Sequence, residues 1–173
     1  MLLERYQGQF INAVSRAEGS AARLAELVVH DFPSFNDVAE YRGEQVRFYK
    51  RAQLLASNLW GAFGGKTWGA FSDMGALTAF ADYKLPQLLR EYGVLEYSSE
   101  LAAKVDSRTM LPAGTPEEVE IRAATVQACE LLRDELAELG VSFWAFQVDW
   151  LLRNQAQGMP TQHPYHLTRT IYY

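Results

Sequence analysis

Apolar positions recur at spacings of three and four residues over most of the chain, the period of an amphipathic helix. From Leu2 to Val14 and from Ala21 to Val29 they predict two opening helices, parted near Gly19-Ser20. Phe32-Pro33-Ser34-Phe35-Asn36-Asp37 breaks the period, because Pro33 disfavours a helical Phe32 and Asn36-Asp37 is turn chemistry. Val38 to Tyr41 and Gln45 to Phe48 flank Arg42-Gly43-Glu44 and read as a small hairpin, the one strand signal in the sequence. Ala52, Leu55, Ala56, Leu59 and Trp60 then share one face of a helix that starts with Tyr49-Lys50-Arg51 and stops at Gly64-Gly65.

Between Phe71 and Gly93 the pattern predicts a helix beginning at Asp73, a tight break, and a second short helix. Pro86 lies in the first turn of that second helix, Leu88, Leu89 and Tyr92 form its stripe, and Gly93 ends it. Ser98 or Ser99 caps a short helix through Val105. Thr115-Pro116-Glu117-Glu118 combines a cap, a proline at the first helical position and acids at the positive end of the helix dipole, so a long helix runs to about Leu139. A last helix covers Phe143 to Gln157, and the tail HPYHLTRTIYY follows without periodicity. The fold class is mainly α, with at most a small hairpin near residues 38–48, and residues 1–173 form a single helical domain.

Composition supports this picture. A chain of 173 residues with 49% hydrophobic and 13% aromatic content can bury a core. A net charge of −5 opposes tight, phosphate-driven binding of nucleic acid and favours a small-molecule substrate. The lone Cys129 sits in a helical pattern without a disulfide partner and reads as a buried, inert thiol. No apolar run resembles a signal peptide or approaches the roughly 20 residues of a membrane span, so a soluble cytoplasmic protein is expected.

The candidate chemistry lies in carboxylates set among apolar residues. His30, His163 and His166 lack the spacing of a metal site, and Gly64-Gly65-Lys66-Thr67 lacks the earlier glycine of a phosphate-binding loop, so no metal is expected. Asp73 stands where a helix cap would stand. Asp82, between Ala81 and Tyr83, has Lys84 or the Lys50-Arg51 helix as its natural partner. Asp149 lies inside the aromatic run Phe143-Trp144-Ala145-Phe146-Gln147-Val148-Asp149-Trp150, where it either pairs with a buried base or faces a pocket. Rings beside carboxylates suit a flat, polar, partly cationic ligand, and they suit an ordinary core as well.

Longer stretches are more specific. FPSFNDV, VRFYKRAQLLASNLW, FSDMGALTAFADYKLPQLL, GVLEYS, EVEIRAATV and PYHLTRTIYY together resemble the queuosine salvage protein family, the queuosine 5′-phosphate N-glycosylases, from about Leu3 to Tyr173. The resemblance implies a helical fold akin to helix-hairpin-helix DNA glycosylases, with no metal or organic cofactor. It implies hydrolysis of the N-glycosidic bond of queuosine 5′-phosphate, with queuosine as a further candidate, to release queuine for reuse in transfer RNA. Matched by motif, Asp73 takes the place of the catalytic carboxylate, Phe71 stacks on or flanks the base, and Asp149 contacts the base. Asp82, Lys50, Arg51, His166 and Arg169 match recurring family positions, and Lys50, Arg51 and Arg169 are candidates to hold the 5′-phosphate. The matching words belong to the C-terminal part of longer family members, so the N-terminal wall of the base pocket is expected to be missing. The alternative is a catalytically incomplete piece that binds the base or a protein partner, with apolar surface available for self-association.

Overall fold

Gln7 and Gly8 both adopt left-handed backbone, with φ of 55° and 75°, and this divides the first helical period in two. The chain therefore opens with three helices where periodicity predicts two: α1 (Leu2–Tyr6), α2 (Ile11–Arg16) and α3 (Ala21–Asp31). The structure, a computed structural model, describes all residues 1–173. Ser20 begins α3 by accepting from the Arg23 N–H at 3.0 Å, and the Phe32-Pro33 step ends it in a 3-10 turn, Pro33–Phe35.

The hairpin forms as the sequence indicates. β1 (Val38–Tyr41) pairs antiparallel with β2 (Glu44–Arg47), and Arg42 and Gly43 supply the two positive φ values of the turn. It is the only sheet in a mainly helical fold. α4 (Lys50–Ala62) follows, and Gly64 and Gly65 end it in left-handed backbone. α5 (Lys84–Glu91), α6 (Ser99–Asp106), α7 (Pro116–Glu138) and α8 (Ala145–Ala156) complete the helices at the places their caps and stripes indicate. Ser98 caps α6 by accepting from Leu101 N–H at 3.2 Å.

Two apolar clusters hold these elements together. Leu24 and Val28 of α3, Ala52 and Ala56 of α4, Met74, Phe80 and Phe146 are fully buried in the first. Leu85, Leu88 and Leu89 of α5 meet Ala128 and Cys129 of α7 and Val148 and Leu152 of α8 in the second. Burial pushes the Cys129 thiol up to about 12, in keeping with an inert side chain.

The helix expected from Asp73 does not form. Met74–Ala76 makes a 3-10 turn, and residues 77–82 contain no helix before α5 begins. The reason lies in where this backbone finds its hydrogen bonds. Gln53 of α4 accepts from Thr78 N–H at 2.8 Å, and Asp149 of α8 accepts from Phe80 N–H at 2.7 Å. Arg153 donates to the Phe80 carbonyl at 3.0 Å and Arg122 to the Ala81 carbonyl at 3.3 Å. Side chains from three helices thus take the groups that an α-helix would have paired internally.

The tail is fixed in the same manner. Gln87 donates to the His163 carbonyl at 2.6 Å, Arg108 to the Tyr165 carbonyl at 3.1 Å, and Leu111 N–H to the Leu167 carbonyl at 2.8 Å.

Candidate functional site

Held open between α4, α7 and α8, the 77–82 segment delivers Asp82 to the N-terminus of α5. Its Oδ1 accepts from the N–H groups of Lys84 at 2.9 Å and Leu85 at 3.2 Å, and its Oδ2 accepts from Arg153 Nη1 at 2.6 Å. Three of the roughly four lone-pair positions of a carboxylate are used, so the group is rigid and retains one free position on Oδ2. Its ion-pair partner is not the Lys84 ammonium, nor Lys50 or Arg51 of α4, but Arg153, which was not among the residues expected from the sequence.

Arg153 lies one helical turn beyond Asp149 on α8 and bonds that carboxylate through Nε. Asp149 is completely buried, at 0% exposure. Burial raises its pKa, opposed by the Arg153 charge and by hydrogen bonds from Arg153 and the Phe80 N–H. Of the two readings left open by the sequence, Asp149 takes the first, pairing with a buried base. The i to i+4 spacing of Asp149 and Arg153 was the signal available for it.

Lys50 is the first residue of α4 and is half-buried. Burial lowers its pKa, the Asp82 charge is foremost in opposing that shift, and Arg153 adds to it. Its ammonium enters no hydrogen bond and no ion pair within the chain. His166 reaches the same neighbourhood from the tail. It is 1% exposed, its Nε2 lies 3.4 Å from the Tyr173 hydroxyl, and its Nδ1 has no partner. Burial lowers the imidazole to about 4, against the pull of Asp82, so it is neutral at pH 7. Tyr83, 40% exposed, packs on Tyr165 at 4.8 Å between ring centroids, and Arg108 lies over Tyr165 at 4.5 Å. The fold therefore gathers Asp82, Lys50, Asp149 and His166, with Arg153 added, around the start of α5.

The remaining candidates lie apart from this group. Asp73 caps α3 rather than a helix of its own. Its Oδ1 accepts from Ala21 N–H at 2.6 Å, and its Oδ2 from the Ser20 hydroxyl at 2.6 Å and Ala22 N–H at 3.3 Å. Burial opposes its ionisation, but these bonds outweigh burial and hold the carboxyl below its usual range. No hydrogen bond or ion pair connects Asp73 with the Asp82 group. Phe71 packs against the α3–α4 core. Arg51 donates to the carbonyls of Ser34 at 3.3 Å and Ile171 at 3.1 Å, which ties the tail to α4. Arg169 is exposed and unpaired. No group of three or more His, Cys, Asp or Glu side chains is arranged to hold a metal ion, and no helix is long and apolar enough to cross a membrane.

A carboxylate fixed by backbone N–H groups, an unpaired ammonium and a neutral imidazole can stabilise a developing cation, handle a proton and accept or donate a hydrogen bond. Comparisons with known proteins bear on what such a group serves. The chain is 55% identical over 174 residues to a protein of Sphaerobacter thermophilus named queuosine 5′-phosphate N-glycosylase/hydrolase. Proteins of the same name from Mus musculus and Dictyostelium discoideum are each 40% identical, over 187 and 174 residues. In all three, the whole of this chain is covered and 54% of the relative, so the chain spans about half the length of the curated relatives it matches. The family described as queuosine salvage protein matches residues 1–173 without remainder, and the chain belongs to that family.

Proposed function

We propose that this chain carries the part of an N-glycosylase that hydrolyses the bond between ribose and base in queuosine 5′-phosphate, releasing queuine. The observation that carries this reading is the Lys50 ammonium, half-buried and without an ion-pair partner, in the field of Asp82. The names of the relatives support the reaction and the substrate class.

In this reaction the C1′–N9 bond breaks with its electron pair going to the base, and C1′ acquires oxocarbenium character. Asp82 stabilises that charge and takes a proton from the water whose oxygen bonds to C1′. The departing base must gain a proton, and a 7-deazaguanine has carbon at position 7, so the ordinary protonation site of a purine is lost. Lys50, an ammonium with a lowered pKa, is suited to donate to another atom of the base. Asp149 supports the reaction indirectly, by holding Arg153 against Asp82.

The family resemblance gives the carboxylate role to Asp73. We favour Asp82, because the unpaired Lys50 ammonium and the neutral His166 imidazole lie in its field, whereas Asp73 meets only the Ser20 hydroxyl and backbone N–H groups at the start of α3. Arg169, exposed and unpaired, is the candidate for the 5′-phosphate, ahead of Arg51, which is engaged by the tail. Queuine released in the cytoplasm would be available for reuse in transfer RNA.

The test is incubation of the chain with queuosine 5′-phosphate and detection of free queuine by mass spectrometry. Absence of queuine, with the base still bound, overturns the enzymatic reading. A second reading, binding of the base or of a protein partner without turnover, is favoured by the aromatic surface around Trp60. There Phe63, Trp68 and Trp144 are 42%, 44% and 38% exposed. It requires queuine binding or self-association on a sizing column, with no product.

A further inference from the structure

Lys50 and Asp82 come from separate elements, and a single buried side chain reaches the backbone beside Asp82 directly and the backbone of Lys50 through Asp37. Arg122 of α7 is 3% exposed. Its Nη1 and Nη2 form a fork onto Asp37 at 2.9 and 2.5 Å. Asp37 in turn accepts at the start of α4. Its carboxylate takes the Lys50 N–H at 3.3 Å, and its backbone carbonyl takes the N–H groups of Phe48 at 3.0 Å and Tyr49 at 3.1 Å. Tyr49 is held there in left-handed backbone, φ 48°, a conformation rare for a tyrosine that neighbouring contacts must impose. On its other side Arg122 donates from Nε to the Ala81 carbonyl at 3.3 Å, one residue before Asp82.

The rest of the guanidinium is enclosed. Phe48 lies 3.8 Å and Tyr173 4.8 Å from it, centroid to Cζ, and Glu118 lies 3.5 Å from Nη1. Glu118 is itself fixed by the Tyr173 hydroxyl at 2.6 Å and Gly114 N–H at 3.0 Å. No freedom remains for the fork to turn.

We infer that Arg122 is a positioning residue for the Lys50–Asp82 pair, setting the first turn of α4 through Asp37 and the approach to Asp82 through the Ala81 carbonyl. This rests on the reading that Lys50 and Asp82 serve the reaction, and it can be tested independently of turnover. The charged groups acting on Lys50 are Asp82, Arg153, Asp149 and Arg122. Lys50, Lys66, Lys84 and Lys104 are the only lysines, so the ammonium of each can be followed by NMR after reductive 13C-methylation, with K50R to assign the Lys50 signal.

The decisive variant is Arg122→Lys, which keeps the positive charge and loses the fork. With the fold intact by circular dichroism, the Lys50 titration is expected to move towards that of the other lysines by about 1 in pKa, the scale on which a charge a few ångströms away acts. Asp37→Glu, which keeps the charge and displaces the fork, is expected to move it in the same direction, and it decides the matter if the Arg122 variant does not fold. Tyr173→Phe, which disturbs the same buried cluster but not the fork, is expected to leave Lys50 unmoved. A Lys50 titration unchanged in the folded Arg122→Lys and Asp37→Glu chains overturns the inference. So does an equal shift in Tyr173→Phe. On queuosine 5′-phosphate the same two variants are expected to lower kcat at least tenfold with KM unchanged. If the unaltered chain releases no queuine, the proposed hydrolysis fails, and the lysine titration still decides the role of Arg122.

Discussion

Arg153 donates from Nη1 to Asp82 Oδ2 at 2.6 Å, joining the middle of α8 to the start of α5 across 71 residues of sequence. Because the same guanidinium holds the fully buried Asp149, it bridges two carboxylates that would otherwise repel each other. Arg153→Met should therefore destabilise the chain by about 3–5 kcal/mol, the usual effect of removing one partner of a buried ion pair. Urea unfolding at pH 7 measures it. The deficit should shrink as pH falls, because burial raises the Asp149 carboxyl and its protonation relieves the repulsion left when Arg153 is removed.

His166 makes stability depend on pH in a defined window. Its folded pKa of about 4 lies below the ordinary histidine value of about 6.5. Between those values the unfolded chain binds more protons, so stability rises with pH across the window and its full contribution is present above pH 6.5. Acidification from pH 7 to 4 should cost about 3 kcal/mol through this group. Comparing unfolding midpoints of the parent and His166→Asn over pH 4–7 isolates the effect, and a parallel pH dependence in both would refute it.

Asp73 and Asp82 both cap helices, but only Asp82 is expected to serve chemistry. Asp73→Ala should lower stability by about 1–2 kcal/mol, the loss of a well-made cap. Once folded, Asp73→Asn should retain queuine release within about tenfold, while Asp82→Asn should lose about 100-fold or more, in the range of a general base. The reverse order would return the carboxylate role to Asp73.

Cys129 should be silent to a thiol reagent at pH 8 in the folded chain and react fully in denaturant. Its thiol is completely buried, and burial keeps it protonated, with its pKa pushed up to about 12. Rapid reaction of the native chain would show that the α5–α7–α8 core opens locally.

The local elements were legible in the sequence because their determinants are local. Ser98, Thr115-Pro116, the Arg42-Gly43 turn and Gly64-Gly65 act within one turn of themselves, and each stops or starts an element where expected. The identity of the family was likewise written in contiguous words, which match across residues 1–173. Of the anticipated site residues, Asp82 and Asp149 share Arg153, and the charge of Asp82 acts on both Lys50 and His166.

What sequence could not decide depended on bonds between distant parts of the chain. The helix predicted at Asp73 failed because the 77–82 backbone is claimed by Gln53, Asp149, Arg153 and Arg122, across separations as large as 73 residues. Asp73 capped a helix 52 residues earlier instead of its own, and Arg122 found Asp37 across 85 residues. Periodicity records which face of an element is buried, and so the sequence alone determined the family and the helices from α4 to α8, but not the division of the first helix or the loss of the one at Asp73. Which donor meets which acceptor is settled only when those faces pack, and the tertiary structure alone placed Arg153 and Arg122 beside the Lys50–Asp82 pair.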